Sequence, residues 1–322
     1  MTRIVKVALG QLGPIQRSDT RIQVVQRLCE LMKEAHALGA DLIVYPELAL
    51  TTFFPRWFIE DEDEIDRYFE TEMPSPATQP LFSLAARLGV GFYLGYAELA
   101  EEAGGRVRYN TSILVDKSGR IIDKYRKVHV PGHFEHEPWR RFQHLEKRYF
   151  RPGKRFGVTR AFGGIVGMAL CNDRRWAETY RVLGLQGAEL VLIGYNTPVH
   201  NAPAPAHDDL SLFHNRLSMQ AGAYQNGTWV AGVAKAGVEE GVDSIGGSCL
   251  VAPSGEVVTA CLTKGDEVAI ARCDLDFCAV YKRTTFNFDL HRQPAAYGMI
   301  VERKGEKLAA DGSPWPPAGE DA

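Results

Sequence analysis

Three side chains of the kinds used in covalent hydrolysis follow predicted strands in this 322-residue chain. Cys171 comes directly after the apolar segment 165–170, while Glu47 and Lys127 each lie just past another strand-like segment. Because open α/β sheets present their sites at the carboxyl ends of strands, the three side chains could meet. Their types suggest a thiolate nucleophile, a carboxylate general base and an ammonium that stabilises an oxyanion.

Each of these residues also has a plainer interpretation. Cys171 could be a buried structural thiol, which is the commoner role of cysteine. Glu47 could be an exposed loop residue, and Lys127 could belong to a solvated basic turn. For Cys171 the context favours the nucleophile, because Arg174 and Arg175 follow it and a helix is predicted to begin there. That setting predicts a lowered pKa for the thiol.

The two adjacent arginines offer planar donor forks that suit bidentate binding of a carboxylate. Neighbours in an extended segment point to opposite faces, so we expect only one to bind a ligand directly. Arg175 is predicted to be the main anchor, with Arg174 also at the site. The alternative is a surface pair with Asp173 and Glu178.

The segment 126–157 is rich in histidine and glutamate, which are possible metal ligands. It contains no HExxH motif or closely spaced helical pair, so we predict no metal site. A Cys/His/Asp triad that uses His207 and Asp208 stays open from the sequence alone. The glycine-rich segments lack the spacing of a phosphate-binding loop, which leaves weak support for nucleotide binding.

The elements that must position these residues form an internal repeat of strands and helices. The first half is predicted to have a strand at 4–12, a helix that ends at Gly39, a strand at 42–45, a helix at 76–88, and strands at 91–97, 111–116 and 120–125. The second half repeats this order at 165–170, 176–186, 187–193, 208–226, 228–234 and 248–258. Ser18 or Asp19 is predicted to cap the first helix. The predicted buried stripe of that helix consists of Ile22, Val25, Leu28, Cys29, Met32 and Ala35.

Two matching halves predict an α/β fold in which two sheets pack face to face with helices outside. This is a four-layer α-β-β-α sandwich with two pseudo-symmetric halves. Residues 1–280 are predicted to form this domain, and 281–322 a C-terminal arm that contacts other subunits.

The composition argues against several classes of protein. Lys and Arg total 37 against 40 Asp and Glu, a net charge of −3, which gives no electrostatic case for binding nucleic acid or an anionic membrane. No run of 18 apolar residues predicts a membrane span. The N-terminus shows no secretory signal, and the six cysteines form no CxxC pair, so we expect a reduced cytoplasmic protein.

Glu47 in P-E, Lys127 in Y-R-K-V-H and Cys171 in L-C-N-D-R-R resemble the Glu-Lys-Cys site of the nitrilase superfamily. The resemblance covers about residues 4–300. Within the superfamily, the chain is similar to the branch that acts on N-carbamoyl-D-amino acids. The motifs that carry this similarity are Gly132–Glu137, His144–Phe150, Asn172–Trp176, Gly194–Pro198 and Phe286–Phe288.

The resemblance implies hydrolysis of an N-carbamoyl-D-amino acid to the D-amino acid, ammonia and carbon dioxide, without a metal or organic cofactor. Cys171 would attack the carbonyl, Glu47 would transfer protons, and Lys127 with the Asn172 N–H would stabilise the oxyanion. Glu146 would be a second carboxylate that positions substrate or Lys127. Other expected substrate contacts are His129, His144, Asn172, Asn196 and Thr197.

The resemblance also implies a homo-oligomer, a dimer or a tetramer. Alternative activities within the superfamily are those of a β-ureidopropionase-like enzyme, an aliphatic amidase or a nitrilase. A non-catalytic metabolite-binding protein on the same fold is the alternative from another class.

Overall fold

Two six-stranded sheets are stacked in the computed structural model, which describes residues 2–140, 142–201 and 204–306. The strands are β1 (Ile4–Gln11), β2 (Leu42–Val44), β3 (Gly91–Glu102), β4 (Gly105–Val115), β5 (Ile121–Arg126), β6 (Val158–Ala161), β7 (Gly164–Leu170), β8 (Leu190–Tyr195), β9 (Trp229–Ala234), β10 (Ala236–Glu239), β11 (Val242–Ile245), β12 (Cys249–Val251), β13 (Val257–Ala260) and β14 (Glu267–Asp274). The helices are α1 (Arg21–Ala37), α2 (Glu62–Asp66), α3 (Gln79–Leu88), α4 (Glu146–Tyr149), α5 (Ala177–Leu185), α6 (Ser211–Asn226), α7 (Cys278–Lys282), α8 (Phe288–His291) and α9 (Gly298–Glu302). Short 3-10 helices span Phe54–Arg56, Cys171–Arg175, Pro205–Leu210, Leu275–Phe277 and Pro294–Tyr297.

The order of strands confirms the internal repeat. The first sheet runs β14-β1-β2-β3-β4-β5, and the second runs β13-β12-β9-β8-β7-β6. In both sheets, three parallel strands are followed by two antiparallel ones. The parallel strands of the first sheet are β1, β2 and β3, and its antiparallel strands are β4 and β5. The corresponding strands of the second sheet are β7, β8 and β9, followed by β12 and β13. The carboxyl end of β2, which precedes Glu47, is therefore equivalent to that of β8, and the carboxyl end of β7, which precedes Cys171, is equivalent to that of β1.

Apolar packing fixes the four layers of the sandwich. One buried cluster lies between the sheets, with residues such as Leu42 and Val44 from the first and Leu170 and Leu192 from the second. A second cluster joins α1 and α3 to the outer face of the first sheet, and a third joins α5 and α6 to the second. Because the central strands are covered on both faces, they are nearly continuous apolar runs.

The first helix begins at a different cap from the predicted one. Thr20 is its N-cap: the Thr20 hydroxyl accepts from the Gln23 N–H, and the Gln23 side chain accepts from the Thr20 N–H. The prediction that Ser18 or Asp19 caps α1 was wrong. A reciprocal capping box requires the cap residue to lie three positions before the Gln, and Gln23 therefore selects Thr20. Ile22 was also wrongly placed on the buried stripe. It is 62% exposed, since the buried face runs through Val24 and Leu31 instead.

The strand β14 lies outside the repeat and was not predicted with its partner. It pairs antiparallel with the whole of β1, from Ile4 opposite Asp274 to Gln11 opposite Glu267. Cys273 lies in this strand, whereas Cys261 follows β13. Strand β14 completes the first sheet, so its residues belong to the core domain.

The predicted C-terminal arm is only partly described. Residues 281–306 carry α8 and α9 with exposed apolar side chains such as Leu290 and Val301. Residues 307–322, which include the Pro-rich end of the arm, lie outside the described residues. None of the helices in the described ranges is long and apolar enough to cross a membrane.

Replacement of Thr20 by Ala should lower the free energy of unfolding by about 1 kcal/mol, because it removes the capping box at the start of α1. Ser18→Ala is the matched control and should change it by less than about 0.5 kcal/mol, the range of ordinary surface substitutions. Urea denaturation followed by circular dichroism measures both. Equal losses for the two variants would show that Thr20 is not the effective cap.

Candidate active site

The turn that carries Glu47 is wedged between the two sheets at the end of β2. Leu48 has a φ of +46°, which reverses the chain sharply after the carboxylate. Glycines face the turn from both sheets: a Cβ on Gly95 of β3 would lie 2.7 Å from the Glu47 Cα, and one on Gly194 of β8 would lie 2.6 Å from its N. Only glycine at these two positions lets the Glu47 backbone sit this deep.

Glu47, Lys127 and Glu146 form a fully buried ion cluster. The Lys127 Nζ donates to Glu47 Oε1 at 2.7 Å and to Glu146 Oε2 at 2.6 Å, and all three side chains are 0% exposed. Asn110 of β4 donates its amide to Glu47 Oε1 at 2.8 Å. The sequence predicted the three charged residues but missed Asn110, whose position in the middle of a strand carries no motif.

The charges in this cluster stabilise one another. Burial disfavours the ammonium of Lys127, but the carboxylates of Glu146 and Glu47 outweigh it and raise the pKa of Lys127. Burial likewise opposes ionisation of Glu146, yet Lys127 and His144 hold the pKa of Glu146 below its usual value. A fixed ammonium flanked by carboxylates is therefore ready to stabilise developing negative charge nearby.

Cys171 follows β7 at the first position of a 3-10 helix, Cys171–Arg175. Its φ of +40° is unusual for a residue with a side chain and marks a strained position, as is common at functional sites. The thiol donates to the Asn196 carbonyl at 3.3 Å.

The predicted lowering of the thiol pKa was wrong. Burial raises the pKa of Cys171, as does the neighbouring charge of Glu47, and together they outweigh the opposing effect of Lys127 and Arg174. Formation of the thiolate therefore requires a base beside it, and Glu47, whose charge acts on the thiol, is the candidate for that base.

Asp173 anchors the turn after Cys171, a role that the sequence did not reveal. Its Oδ2 accepts from the Leu170 N–H at 3.0 Å and from the Tyr125 hydroxyl at 2.6 Å. Its Oδ1 accepts from the His129 N–H at 2.9 Å and lies 2.8 Å from His129 Nδ1. Asp173 belongs to the motif that contains Cys171. The sequence does not show, however, that the end of β7 and the loop of His129, which Asp173 connects, lie side by side in the fold.

The two arginines have separate surroundings. Arg174 is 1% exposed and its guanidinium is occupied, donating to the Cys171 carbonyl, the Asn215 side chain and the Thr197 hydroxyl at 2.7–2.8 Å. Arg175 is exposed and lines a cavity together with Cys171. In the described part of the chain, no carboxylate lies within ion-pairing distance of Arg175, which leaves its donor fork open to a ligand.

The other predicted contact residues are divided between the site and its supports. His129 is bound to Asp173 and stacks on Trp176, with ring centroids 5.1 Å apart. The Asn172 amide donates to the His129 carbonyl. His144, Asn196 and Thr197 line the cavity that holds Cys171.

Asn196 has one side-chain atom without a partner. Its N–H and its amide both donate to Glu47, at 3.1 and 3.0 Å, whereas its buried Oδ1 has no hydrogen-bond partner in the part of the chain that the structure describes. An unpaired buried acceptor beside the nucleophile can receive an N–H of a ligand.

Two adjoining cavities open at this place. The nucleophile cavity, of about 440 Å³, contains Cys171 and Arg175. The side cavity, of about 500 Å³, is lined by residues that include Phe53, His133 and Val242. Both are lined by His144, Asn196, Thr197, Pro198 and Asn201, so a single ligand could extend from one into the other.

The described residues contain no group of three or more His, Cys, Asp or Glu that could hold a metal ion. The Cys/His/Asp triad with His207 and Asp208, which the sequence left open, is not formed in the described part of the chain. His207 lines the nucleophile cavity, but Asp208 is bound instead to His200 at 2.7 Å. A buried thiol, a carboxylate beside it and a buried ammonium suit covalent hydrolysis of an amide-like carbonyl.

Comparison with known proteins gives a family match. The carbon-nitrogen hydrolase family model matches residues 6–283. An N-carbamoylputrescine amidase of Arabidopsis thaliana is 29% identical over 89% of this chain and 92% of its own length. The omega-amidase NIT2 of Xenopus tropicalis is 28% identical over 80% of this chain and 85% of its own.

Solved structures share the fold. A carbon-nitrogen hydrolase from Helicobacter pylori G27 superposes with a TM-score of 0.80 at 19% identity, covering 94% of this chain and 99% of that one. Nit3 of Saccharomyces cerevisiae, a member of the nitrilase superfamily, superposes with a TM-score of 0.71 at 22% identity, covering 91% and 97%.

Glu47→Gln should slow alkylation of Cys171 by iodoacetamide at pH 7 by at least about tenfold. Burial raises the pKa of the Cys171 thiol and keeps it protonated, so its reaction needs proton transfer to Glu47. Loss of this base should outweigh the removal of the Glu47 charge, which itself raises the thiol pKa. Mass spectrometry of the labelled cysteines measures the rate, with half-buried Cys29 as the internal control. Unchanged labelling of Cys171 would exclude Glu47 as its base.

Proposed function

We propose that this chain, which belongs to the carbon-nitrogen hydrolase family, hydrolyses N-carbamoyl-D-amino acids to the D-amino acid, ammonia and carbon dioxide. One observation carries this proposal: the open guanidinium of Arg175 shares a cavity with the nucleophilic thiol of Cys171. A substrate with a carbonyl to be cleaved at one end and a carboxylate at the other matches this pair. The choice of the D series rests on the motifs of the resemblance.

The proposed reaction passes through a covalent intermediate. Glu47 removes the thiol proton as Cys171 attacks the ureido carbon, and Lys127 stabilises the oxyanion together with the backbone N–H of Asn172. Glu47 then returns the proton to the nitrogen that leaves as ammonia, which gives a thiocarbamate on Cys171. Glu47 next takes a proton from a water that attacks this carbon and passes it to the departing Cys171 sulfur as the C–S bond breaks. The carbamic acid that is released loses carbon dioxide to give the D-amino acid. Glu146 holds the Lys127 ammonium in place through their 2.6 Å contact.

The charged residues that line the two cavities favour a substrate with a carboxylate over one with an ammonium group. A putrescine-derived substrate, such as the Arabidopsis relative's name indicates, would bring an ammonium group that needs a free carboxylate. Of the described residues that line the side cavity, both carboxylates are already paired: Glu137 with Arg140 at 2.6 Å and Glu239 with Arg56 at 2.7 Å. The nucleophile cavity has no carboxylate among its described lining residues.

The alternatives make different demands on the same residues. An aliphatic amidase or a nitrilase acts on a substrate that needs no carboxylate, so it would leave Arg175 without a role. A non-catalytic binding protein would keep its ligand affinity after alkylation of Cys171, and it would have no turnover to lose.

We also propose that the chain forms a homo-oligomer in a reducing, cytoplasmic compartment. All six cysteines are free thiols. The outer surface around α5 and α6 exposes apolar side chains, including Val182, Leu185, Phe213 and Leu217, which a second copy would cover. Light scattering at micromolar concentration should give at least the mass of a dimer, and a monomer alone would contradict this assembly.

The activity itself is tested by ammonia release from paired N-carbamoyl-D- and L-amino acids. The wild-type protein should release ammonia from the D substrate faster than from its L partner. Cys171→Ala should release none while still binding substrate, because the carboxylate anchor remains. Near-normal turnover by Cys171→Ala would refute the mechanism.

Arg175→Ala should lower kcat/KM for the carbamoyl substrate about 10- to 150-fold, the equivalent of losing a charge-assisted contact of about 1.5–3 kcal/mol. Arg175→Lys should recover little, because it keeps the charge but loses the planar fork. The control substrate is the neutral amide analogue, which Arg175→Ala should process no worse than the wild type does. An equal loss on both substrates would assign Arg175 a structural role.

A further inference from the structure

A second buried ion cluster borders the side cavity, which two of its members help to line, and takes no part in the proposed chemistry. It consists of Arg56, Lys235 and Glu239, whose side chains are at most 5% exposed. Glu239 Oε1 accepts from Arg56 at 2.7 Å, and Glu239 Oε2 accepts from Lys235 at 2.9 Å. Two cations share one anion here. Burial lowers the pKa of Lys235, which shows that its burial carries an electrostatic cost.

The cluster is attached chiefly to the backbone of one loop, residues 51–56. Glu239 accepts from the Phe53 N–H at 2.7 Å, and Arg56 donates to the Phe53 carbonyl at 2.9 Å. Lys235 donates to the Thr51 carbonyl at 2.7 Å. Two backbone groups of the loop are thus bound directly by β10 and by the residue that precedes it, and a third is bound by Arg56, whose guanidinium is itself paired with Glu239.

The fixed loop supplies a wall of the side cavity. Phe53 lines this cavity and packs edge-on against His144, with ring centroids 5.8 Å apart. His144 in turn lies 2.9 Å from Glu146. The position of the Phe53 ring therefore depends on an ion cluster that itself stays clear of Cys171.

The residues around the cavity define what it can hold. Its wall includes aromatic and aliphatic groups, among them Phe53, Pro198 and Val242, and the carboxylates among its described lining residues are paired with arginines. An apolar side chain, aromatic or large aliphatic, fits such a lining better than a charged one.

We propose that Arg56, Lys235 and Glu239 are positioning residues that hold Phe53 as the wall of a subsite for the substrate's side chain. This rests on the proposed function, since the carbamoyl group at Cys171 and the carboxylate at Arg175 leave the amino-acid side chain to enter the adjoining cavity. The cluster then determines which side chains are accepted without contacting the reacting atoms.

The test compares two substrates that differ only in the side chain: N-carbamoylglycine, which has none, and N-carbamoyl-D-phenylalanine. Arg56→Lys keeps the charge but loses the fork that joins Glu239 to the Phe53 carbonyl. It should lower kcat/KM for the phenylalanine substrate at least about tenfold, mainly through KM, and change that for the glycine substrate less than about twofold.

Arg27→Lys is the matched control. Arg27 also forms a bidentate ion pair, with Asp266 at 2.6 and 2.9 Å, and also donates to a backbone carbonyl, that of Pro14. Arg27 lines neither cavity, so its substitution should leave the ratio of the two kcat/KM values unchanged. A change in that ratio as large as the one caused by Arg56→Lys would overturn the proposal.

Phe53→Leu tests the wall directly and leaves the ion cluster intact, which covers the case in which Arg56→Lys does not fold. It should produce the same selective loss on the phenylalanine substrate. Equal losses on both substrates, in either variant, would overturn the subsite. Failure of the wild type to release ammonia from either substrate would instead refute the proposed function, and the subsite with it.

Discussion

Burial of Lys127 between two carboxylates is the constraint on which the rest of this structure depends. An ammonium removed from water is tolerated only with close, well-placed counter-charges, and here both come from other segments of the chain. Glu47 arrives on a turn pressed between the sheets, and Glu146 arrives at the start of α4. The glycines that admit the turn, the four layers and the position of α4 can all be understood as requirements of this one ion cluster.

The sequence was sufficient to predict the sandwich and to identify the charged residues that meet there. Both follow from local patterns: the repeat of strands and helices, and polar residues placed where apolar strands end. The pKa of Cys171 was predicted in the wrong direction, because its neighbours in sequence are arginines whereas its burial is decided by tertiary packing. Asn110 and Asp173 were missed as supports for the same reason, since their partners come from distant segments.

The division of labour between Arg174 and Arg175 was expected from extended geometry, but the segment is a 3-10 helix. Successive residues of such a helix are about 120° apart, so the two side chains still diverge. One guanidinium is consumed in holding the Cys171 carbonyl and Thr197, while the other stays open. The same residue type thus builds the scaffold of the cavity at one position and leaves a free donor at the next. The two guanidinium groups point apart because each residue of the 3-10 helix is rotated from the one before it, and not because the residues differ in type.

The pairing of β1 with β14 has a consequence for how the chain folds during synthesis. The first strand can join β2 early, but the partner for its other edge is made only when residues 267–274 leave the ribosome. Until then, a long strand edge is unsatisfied and open to pairing with another chain. A contact of such great sequence separation also slows folding, because the intervening chain must be ordered first. The vulnerable period of this protein therefore lasts for most of its translation.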